Sequence, residues 1–423
     1  MDLFATRFGE HISASAGPRY FGFVTGGSTP AAIAGDWLAS AHDQNAAGID
    51  GSITGDIERE SILMLRDLFG LPAEFDGAFV SGATMSNFVG LALARQWAGH
   101  QVGINIAVDG MTAPDSAGHI FDLAVLSGAP HSCIFKAMSM LGMGRHNLQI
   151  VQLLHTREAI DTAALRGALA GRRGRPTIVV ANAGTVNSVD FDNIVEIVAL
   201  KREYDFWLHI DAAFGGFAAL SPRHAQLLGG WHEADSIAID LHKWLNVPYD
   251  SAVQFSRHKH LQLEVFQNAA SYLSAPNLAT PGFIHLTPEN SRRLRALPAW
   301  MALMAYGREG HAEIVERCCS HARLLAARIT QSSHFKMLAP ARMNVVCFTL
   351  ADAPSTETLE AFAALVRDSG DTYLTPTVYL GTPALRVAFS NWRTTSDDVA
   401  VAWRAMCKAA DAALALARRD PTR

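Results

Sequence analysis

The chain has 423 residues, 49% hydrophobic and 18% charged, enough to bury a large core and to build one large unit with a smaller one beside it. Its formal net charge of −5 excludes a nucleic-acid partner drawn by a basic surface, and its one basic cluster, Arg172-Arg173-Gly174-Arg175, reads as a solvated turn. Five cysteines without a CxxC pair or disulfide-framework spacing, an N-terminus without a secretory pattern and no apolar run of about 18 residues predict a cytoplasmic protein with no membrane span and no metal site.

The predicted elements begin with an arm over 1–56, marked by Gly26-Gly27 and Pro30. A large domain follows over 57–290, in which short apolar runs alternate with helix-like segments. Strands are expected over 77–80, 123–126, 177–180, 206–210 and 236–239, and helices over 87–96, 132–141 and 194–203. Apolar runs of four or five residues without polar alternation suit strands covered on both faces. Their alternation with helices predicts an α/β domain with a mostly parallel sheet. Over 291–423 the pattern changes to a long helix (292–329), a strand (343–350), a helix (356–367), a strand (385–390) and a closing helix (396–416). These predict a smaller C-terminal α+β domain.

Ligands of such sheets gather at the carboxyl ends of strands, which makes the residues after each apolar run candidates. After Val80, Ser81-Gly82-Ala83-Thr84-Met85-Ser86-Asn87 puts a glycine and small hydroxyls at a helix start, either an ordinary cap or a phosphate cradle. After Leu126 comes His131, either a capping or surface histidine or a ring lying flat on an aromatic cofactor. After Val180 comes Thr185, either part of a turn or within reach of a ring substituent. After Ile210 comes Asp211, either a turn carboxylate or the partner of a ring nitrogen, with Ala213 small enough for a flat ring to pack on. After Ile239 comes Asp240-Leu241-His242-Lys243-Trp244. Lys243 has apolar neighbours, and burying an ammonium is costly. It is either a lysine whose stem packs while its head reaches water or one suited to Schiff-base chemistry. The order is more specific than any single member, and Lys243 follows Asp211 by 32 residues, one strand–helix–strand passage.

With these residues in this order, the sequence resembles the group II PLP-dependent amino-acid decarboxylases, which include the aromatic-L-amino-acid and glutamate decarboxylases. The resemblance runs from Pro18-Arg19-Tyr20-Phe21 to Leu385-Arg386-Val387. Its most specific motifs are His209-Ile210-Asp211-Ala212-Ala213-Phe214-Gly215-Gly216 and Leu241-His242-Lys243-Trp244-Leu245. It implies PLP fold type I, the aspartate-aminotransferase-like fold, with pyridoxal 5'-phosphate held on Lys243. It also implies that Asp211 pairs with the pyridine nitrogen, His131 stacks on the ring and Ala213 packs its other face. Thr185 then approaches the ring hydroxyl, and Ala83, Thr84 and His242 hold the phosphate. Asp240 fills the position ahead of the lysine where the family often has Asn or Asp. Phe214 stands where the family frequently has tyrosine.

The implied enzyme is a carbon–carbon lyase, a carboxy-lyase that converts a small-molecule L-amino acid to its amine and CO₂, and it is expected to be a homodimer. Tyr272, 29 residues past Lys243 in a segment rich in Ser, Pro and Asn, aligns with a family loop tyrosine that protonates the substrate carbon after CO₂ leaves. Other PLP chemistry on the same scaffold is the alternative: aldehyde-forming oxidative decarboxylation, transamination or retro-aldol cleavage. A third possibility is a non-catalytic binding protein, and the intact Asp211, His131 and Lys243 argue against it.

Overall fold

The computed structural model describes residues 2–48, 51–114, 118, 121–268, 280–351 and 355–419. Its helices are α1 (Asp2–Phe8), α2 (Pro30–His42), α3 (Thr54–Leu68), α4 (Ala83–His100), α5 (Ile106–Asp109), α6 (Ser132–Met140), α7 (Thr162–Gly171), α8 (Ile194–Lys201), α9 (Leu241–Trp244), α10 (Lys259–Phe266), α11 (Ala296–Gln331), α12 (Thr356–Asp368) and α13 (Ser396–Arg419). Its strands are β1 (Asp76–Val80), β2 (Ala124–Ser127), β3 (Leu148–Ile150), β4 (Thr177–Asn182), β5 (Trp207–Asp211), β6 (Ser236–Asp240), β7 (Ala252–Ser256), β8 (Phe335–Met337), β9 (Val345–Leu350), β10 (Thr375–Tyr379) and β11 (Thr382–Ala388).

Seven strands form one sheet in the order β1-β7-β6-β5-β4-β2-β3. The pairs from β6 through β5, β4 and β2 to β3 are parallel, and β7 runs antiparallel between β1 and β6. The mostly parallel α/β sheet is therefore present. β4, β5 and β6 are buried at every position, which is why they read as continuous apolar runs. Two apolar clusters cover the two faces, and one of them continues into the smaller sheet.

Four strands make the second, antiparallel sheet in the order β10-β11-β9-β8. The long helix expected ahead of it is α11, kinked at Gly307, where φ is +57°, a conformation glycine adopts without strain. Four strands escape the sequence reading for physical reasons. β3 and β8 are three residues long. β7 alternates polar with apolar residues yet is wholly buried, with Gln254 accepting from Gln262 at 3.2 Å. β10 carries Pro376, which fits an edge strand.

The first fifty residues do more than lead into the large sheet. Phe21 N–H donates to Tyr373 O (2.8 Å) and Ala388 N–H donates to Phe21 O (3.0 Å), so this segment joins the smaller sheet. The chain then turns back: a Cβ on Gly26 would fall 1.9 Å from the Lys243 carbonyl oxygen, so only glycine permits that approach. The N-terminal segment thereby bridges the smaller sheet and the carboxyl ends of the larger one.

Candidate functional site

The carboxyl ends of β1, β2, β4, β5 and β6 surround a cavity of about 380 Å³, within the range of small-molecule sites. Ala83, His131, Thr185, Asp211, Ala213 and Lys243 line it together. They come from loops far apart in sequence, and the parallel sheet brings them to one edge. Asp240 and His242 stand one layer behind. Thr84 is half-buried in the first turn of α4 and is not among the lining residues. Tyr272 lies outside the described residues.

Lys243 sits on the short helix α9, its Nζ 3.3 Å from Asp240 Oδ2 and 5.7 Å from the centre of the Phe214 ring. Asp240 is buried, and His242 Nε2 reaches its other oxygen at 3.0 Å. Burial alone would raise the Asp240 pKa, but the Lys243 charge and the His242 hydrogen bond outweigh it and hold the carboxyl below its ordinary value. His242 Nδ1 in turn accepts from Ser251 N–H at 3.2 Å, which fixes its ring. A Cβ on Gly82 would meet that ring at 3.3 Å, so the glycine lets the first turn of α4 close against His242.

Asp211 ends β5 and is buried. Its Oδ2 accepts from Asn87 Nδ2 at 3.0 Å and from the Cys133 thiol at 3.9 Å, and its Oδ1 accepts from Ala213 N–H at 3.1 Å. Asn87 and Ala213 both donate to it, so the two carboxylate oxygens are held in a fixed orientation. Burial and the neighbouring Asp211 push the Cys133 thiol up to about 12, so it remains protonated, with its single hydrogen between Asp211 Oδ2 and the nearer His131 Nδ1 at 2.9 Å. His131 caps α6, with Nδ1 accepting from Cys133 N–H at 3.3 Å. It is thus both a helix cap and a cavity residue. Loss of hydration lowers its pKa, against the pull of Asp211, which favours a neutral ring.

The structure adds two residues that the sequence reading did not single out. Arg386, on β11, is buried, lines the cavity and donates through Nη1 to Val186 O at 2.7 Å, while its buried Nε finds no hydrogen-bond partner among the described residues. Glu158 accepts from Thr185 Oγ1 (2.8 Å), Ser188 Oγ (2.8 Å) and Asn187 Nδ2 (2.9 Å), so the Thr185 hydroxyl is engaged by Glu158. Asn187 also accepts from Thr377 Oγ1 at 2.7 Å and donates to Val378 O at 3.2 Å. Glu158 therefore anchors the loop after β4, and through Asn187 that loop is tied to β10. The only sequence signal for Arg386 was its place inside an apolar strand, Leu385-Arg386-Val387.

The arrangement fits a flat, anionic, nitrogen-containing cofactor. It offers an amine at one end of the cavity, a carboxylate surrounded by donors, a small floor at Ala213 and a glycine turn at a helix start. Arg386, with an unpartnered donor, is left over to meet a further anion.

A family model described as "Pyridoxal-dependent decarboxylase conserved domain" matches residues 6–351. An aromatic-L-amino-acid decarboxylase of Bacillus atrophaeus is 28% identical over 396 residues, 90% of this chain and 79% of that protein. An L-2,4-diaminobutyrate decarboxylase of Rhizobium meliloti (strain 1021) is 28% identical over 382 residues, 87% and 73% of the two chains. A crystal structure of Oryza sativa TDC with PLP and tryptamine superposes with a TM-score of 0.87 at 23% identity, over 97% of this chain and 87% of that one, a likeness of fold.

Proposed function

From the premise that the chain belongs to the pyridoxal-dependent decarboxylase family, and so is a carboxy-lyase that uses pyridoxal 5'-phosphate, we propose that it converts an aromatic L-amino acid to the corresponding amine and CO₂. The bound cofactor supplies an electron sink for the pair left behind when CO₂ departs. Lys243 would hold the cofactor through its amine. Asp211, oriented by its donors, would face the ring nitrogen. His131 would cover one ring face and Ala213 the other. Thr185, held by Glu158, borders the ring hydroxyl. Ala83, Thr84 and His242 take the phosphate, with Asp240 orienting His242 and Lys243.

Arg386 is the observation that carries the substrate side of this reading. A buried guanidinium with an unpartnered Nε beside the cofactor cavity suits the α-carboxylate of an incoming amino acid. Phe23, Val24, Pro130, Phe214 and Tyr249 give the same cavity an apolar wall, which suits an aromatic side chain. Aromatic-L-amino-acid decarboxylases are among the relatives, beside an L-2,4-diaminobutyrate decarboxylase. Protonation of the substrate carbon is assigned to Tyr272.

Phe23 and Tyr249 line the cavity yet are 56% and 62% exposed, and Trp37 on α2 is 71% exposed. Apolar side chains left open at a cavity mouth support a homodimer in which a second copy covers them. Five free cysteines, four of them buried, support a reducing cytoplasm. None of the described helices is long and apolar enough to cross a membrane. We assign the chain an N-terminal segment (1–56), a PLP-binding domain (57–290) and a small domain (291–423).

The test is a screen of the twenty amino acids for CO₂ release, with product identified by mass spectrometry. Equal amounts of amine and CO₂ from an aromatic amino acid are expected. A preference for an acidic or basic substrate overturns the substrate assignment, and an aldehyde with oxygen uptake overturns the reaction.

A further inference from the structure

β5 places Trp207, His209 and Asp211 on one face, because side chains two apart along a strand point the same way. Ser236 opens the neighbouring strand β6 in direct register with His209. Helix α4 crosses over this face and contributes Asn87. The five side chains besides Cys133 are linked without a gap: Trp207 Nε1 to Ser236 Oγ is 3.0 Å, Ser236 Oγ to His209 Nδ1 is 2.7 Å, His209 Nε2 to Asn87 Oδ1 is 2.8 Å and Asn87 Nδ2 to Asp211 Oδ2 is 3.0 Å. All five are buried.

We propose that Trp207, Ser236, His209 and Asn87 form a one-way hydrogen-bond relay that positions the Asp211 carboxylate toward the cofactor's ring nitrogen. It rests on the proposed pairing of Asp211 with that nitrogen. The direction follows from chemistry at the two ends. An indole N–H only donates, so Ser236 Oγ accepts from Trp207 and turns its own hydrogen to His209 Nδ1. Burial lowers His209 to about 4, so near neutral pH the ring is uncharged and carries one hydrogen, on Nε2. That hydrogen goes to Asn87 Oδ1, which leaves the Asn87 amide hydrogens for the carboxylate. A carboxylate only accepts, so the far end fixes the same direction independently. Each link polarises the next in the low-dielectric interior, and all of them present positive hydrogen to Asp211.

The helix is shaped for this path. Gly90, one turn beyond Asn87, lies over His209, and a Cβ there would fall 2.5 Å from Cε1 and 2.6 Å from Nδ1 of the imidazole. The residue at 90 makes room for the ring that passes the polarity along.

If Ser236 loses its hydroxyl, His209 can take the other tautomer. Its Nε2 then becomes an acceptor, and Asn87 is free to turn its carbonyl toward Asp211. With the Asn87 carbonyl facing it, the Asp211 carboxylate loses the donor that fixes its orientation and is pushed out of line with the ring nitrogen, which weakens its hold on the ring proton.

The experiment uses the full-length protein loaded with ring-¹⁵N pyridoxal phosphate and follows the ring-nitrogen resonance through a pH series, with cofactor Kd measured in parallel. Ser236→Ala is expected to lose the ring-nitrogen proton at lower pH than wild type and to bind cofactor about three- to tenfold more weakly, the range of a single lost hydrogen bond. His209→Phe is expected to show the larger effect and Trp207→Phe the smaller, in order of distance from Asp211. If Ser236→Ala does not fold, Trp207→Phe still breaks the first link, the one farthest from Asp211. A wild-type nitrogen titration in the relay variants overturns the proposal even where Kd changes, because packing alone would change Kd. Asp211→Asn serves as the reference. If it too leaves the titration unmoved, the pairing of Asp211 with the ring has failed; if it alone moves the titration, only the relay has.

Discussion

Replacing Asp211 with asparagine removes one charge and keeps the shape. In the wild type both carboxylate oxygens accept: Oδ2 from Asn87 at 3.0 Å and from Cys133 at 3.9 Å, Oδ1 from Ala213 N–H at 3.1 Å. In the variant one of those positions becomes an NH₂ group. It faces either the Ala213 N–H or the Asn87 amide, so at least one donor–donor contact results. A buried donor left without its acceptor costs about 1–3 kcal/mol, which the fold can bear. The larger loss is catalytic. With Asp211 in its proposed place beside the ring nitrogen, the variant leaves that nitrogen without an anion and removes an electrostatic partner of about 3 kcal/mol when negative charge develops, a factor on the order of 10² in rate. The assay is kcat from CO₂ release at saturating cofactor and substrate, with a melting curve to confirm the fold. The expected result is a cofactor-loaded protein slowed on the order of 10²-fold or more. A near-normal kcat at saturation would refute the electrostatic role of Asp211.

Lys243→Ala is expected to abolish the visible absorption of the bound cofactor and most activity; a borohydride-reducible cofactor adduct undiminished in the variant would refute the anchoring role. Arg386→Gln should raise KM by on the order of tenfold or more with a smaller change in kcat, since a charged hydrogen bond to substrate is worth about 1.5–3 kcal/mol; an unchanged KM would remove Arg386 from substrate binding. Tyr272→Phe should lose most amine formation while still binding substrate, and amine made at the wild-type rate would assign the acid elsewhere. His209 and His311 are both lowered to about 4 by burial, from 6.5. Because their folded pKa values lie below the unfolded ones, the unfolded chain takes up protons that the folded chain refuses between about pH 6.5 and about 4, and acidification through that window destabilises the fold. Asp192, raised to about 6 by burial, acts in the opposite sense and offsets part of the loss. Melting temperature should therefore fall across this window and fall less steeply in His311→Leu; equal slopes in the two proteins would show that His311 does not contribute.

What could be read from the sequence was positional. Asp211, Lys243, His131 and Thr185 each follow an apolar run, and the geometry of a parallel sheet gathers such positions at one edge whatever lies between them. Arg386 had no comparable signal. It reaches the cavity because β11 pairs with β9 and β10 in a separate antiparallel sheet, and that pairing depends on contacts across the chain that no local pattern encodes. Glu158 was hidden for a related reason: it lies in a loop, and its significance comes from three donors contributed by the loop after β4. β7 was missed because a buried glutamine looks like a surface residue until its partner Gln262 is seen.

The residues around Asp211 show why such omissions fall where they do. Trp207 and His209 sit in a strand that reads as core, and they are core: both are buried, and every polar atom they carry is paired. A satisfied polar group inside a strand has the same sequence appearance as a packing residue, because in both cases the requirement is burial on that face. The distinction lies in what the next residue along the face does with the hydrogen bond. Here the face ends in a carboxylate at the cavity, so the interior of β5 and the mouth of the site share one chain of hydrogen bonds. The candidate site residues are found at strand ends; those that hold them in place are expected two and four positions back on the same face, inside the strand.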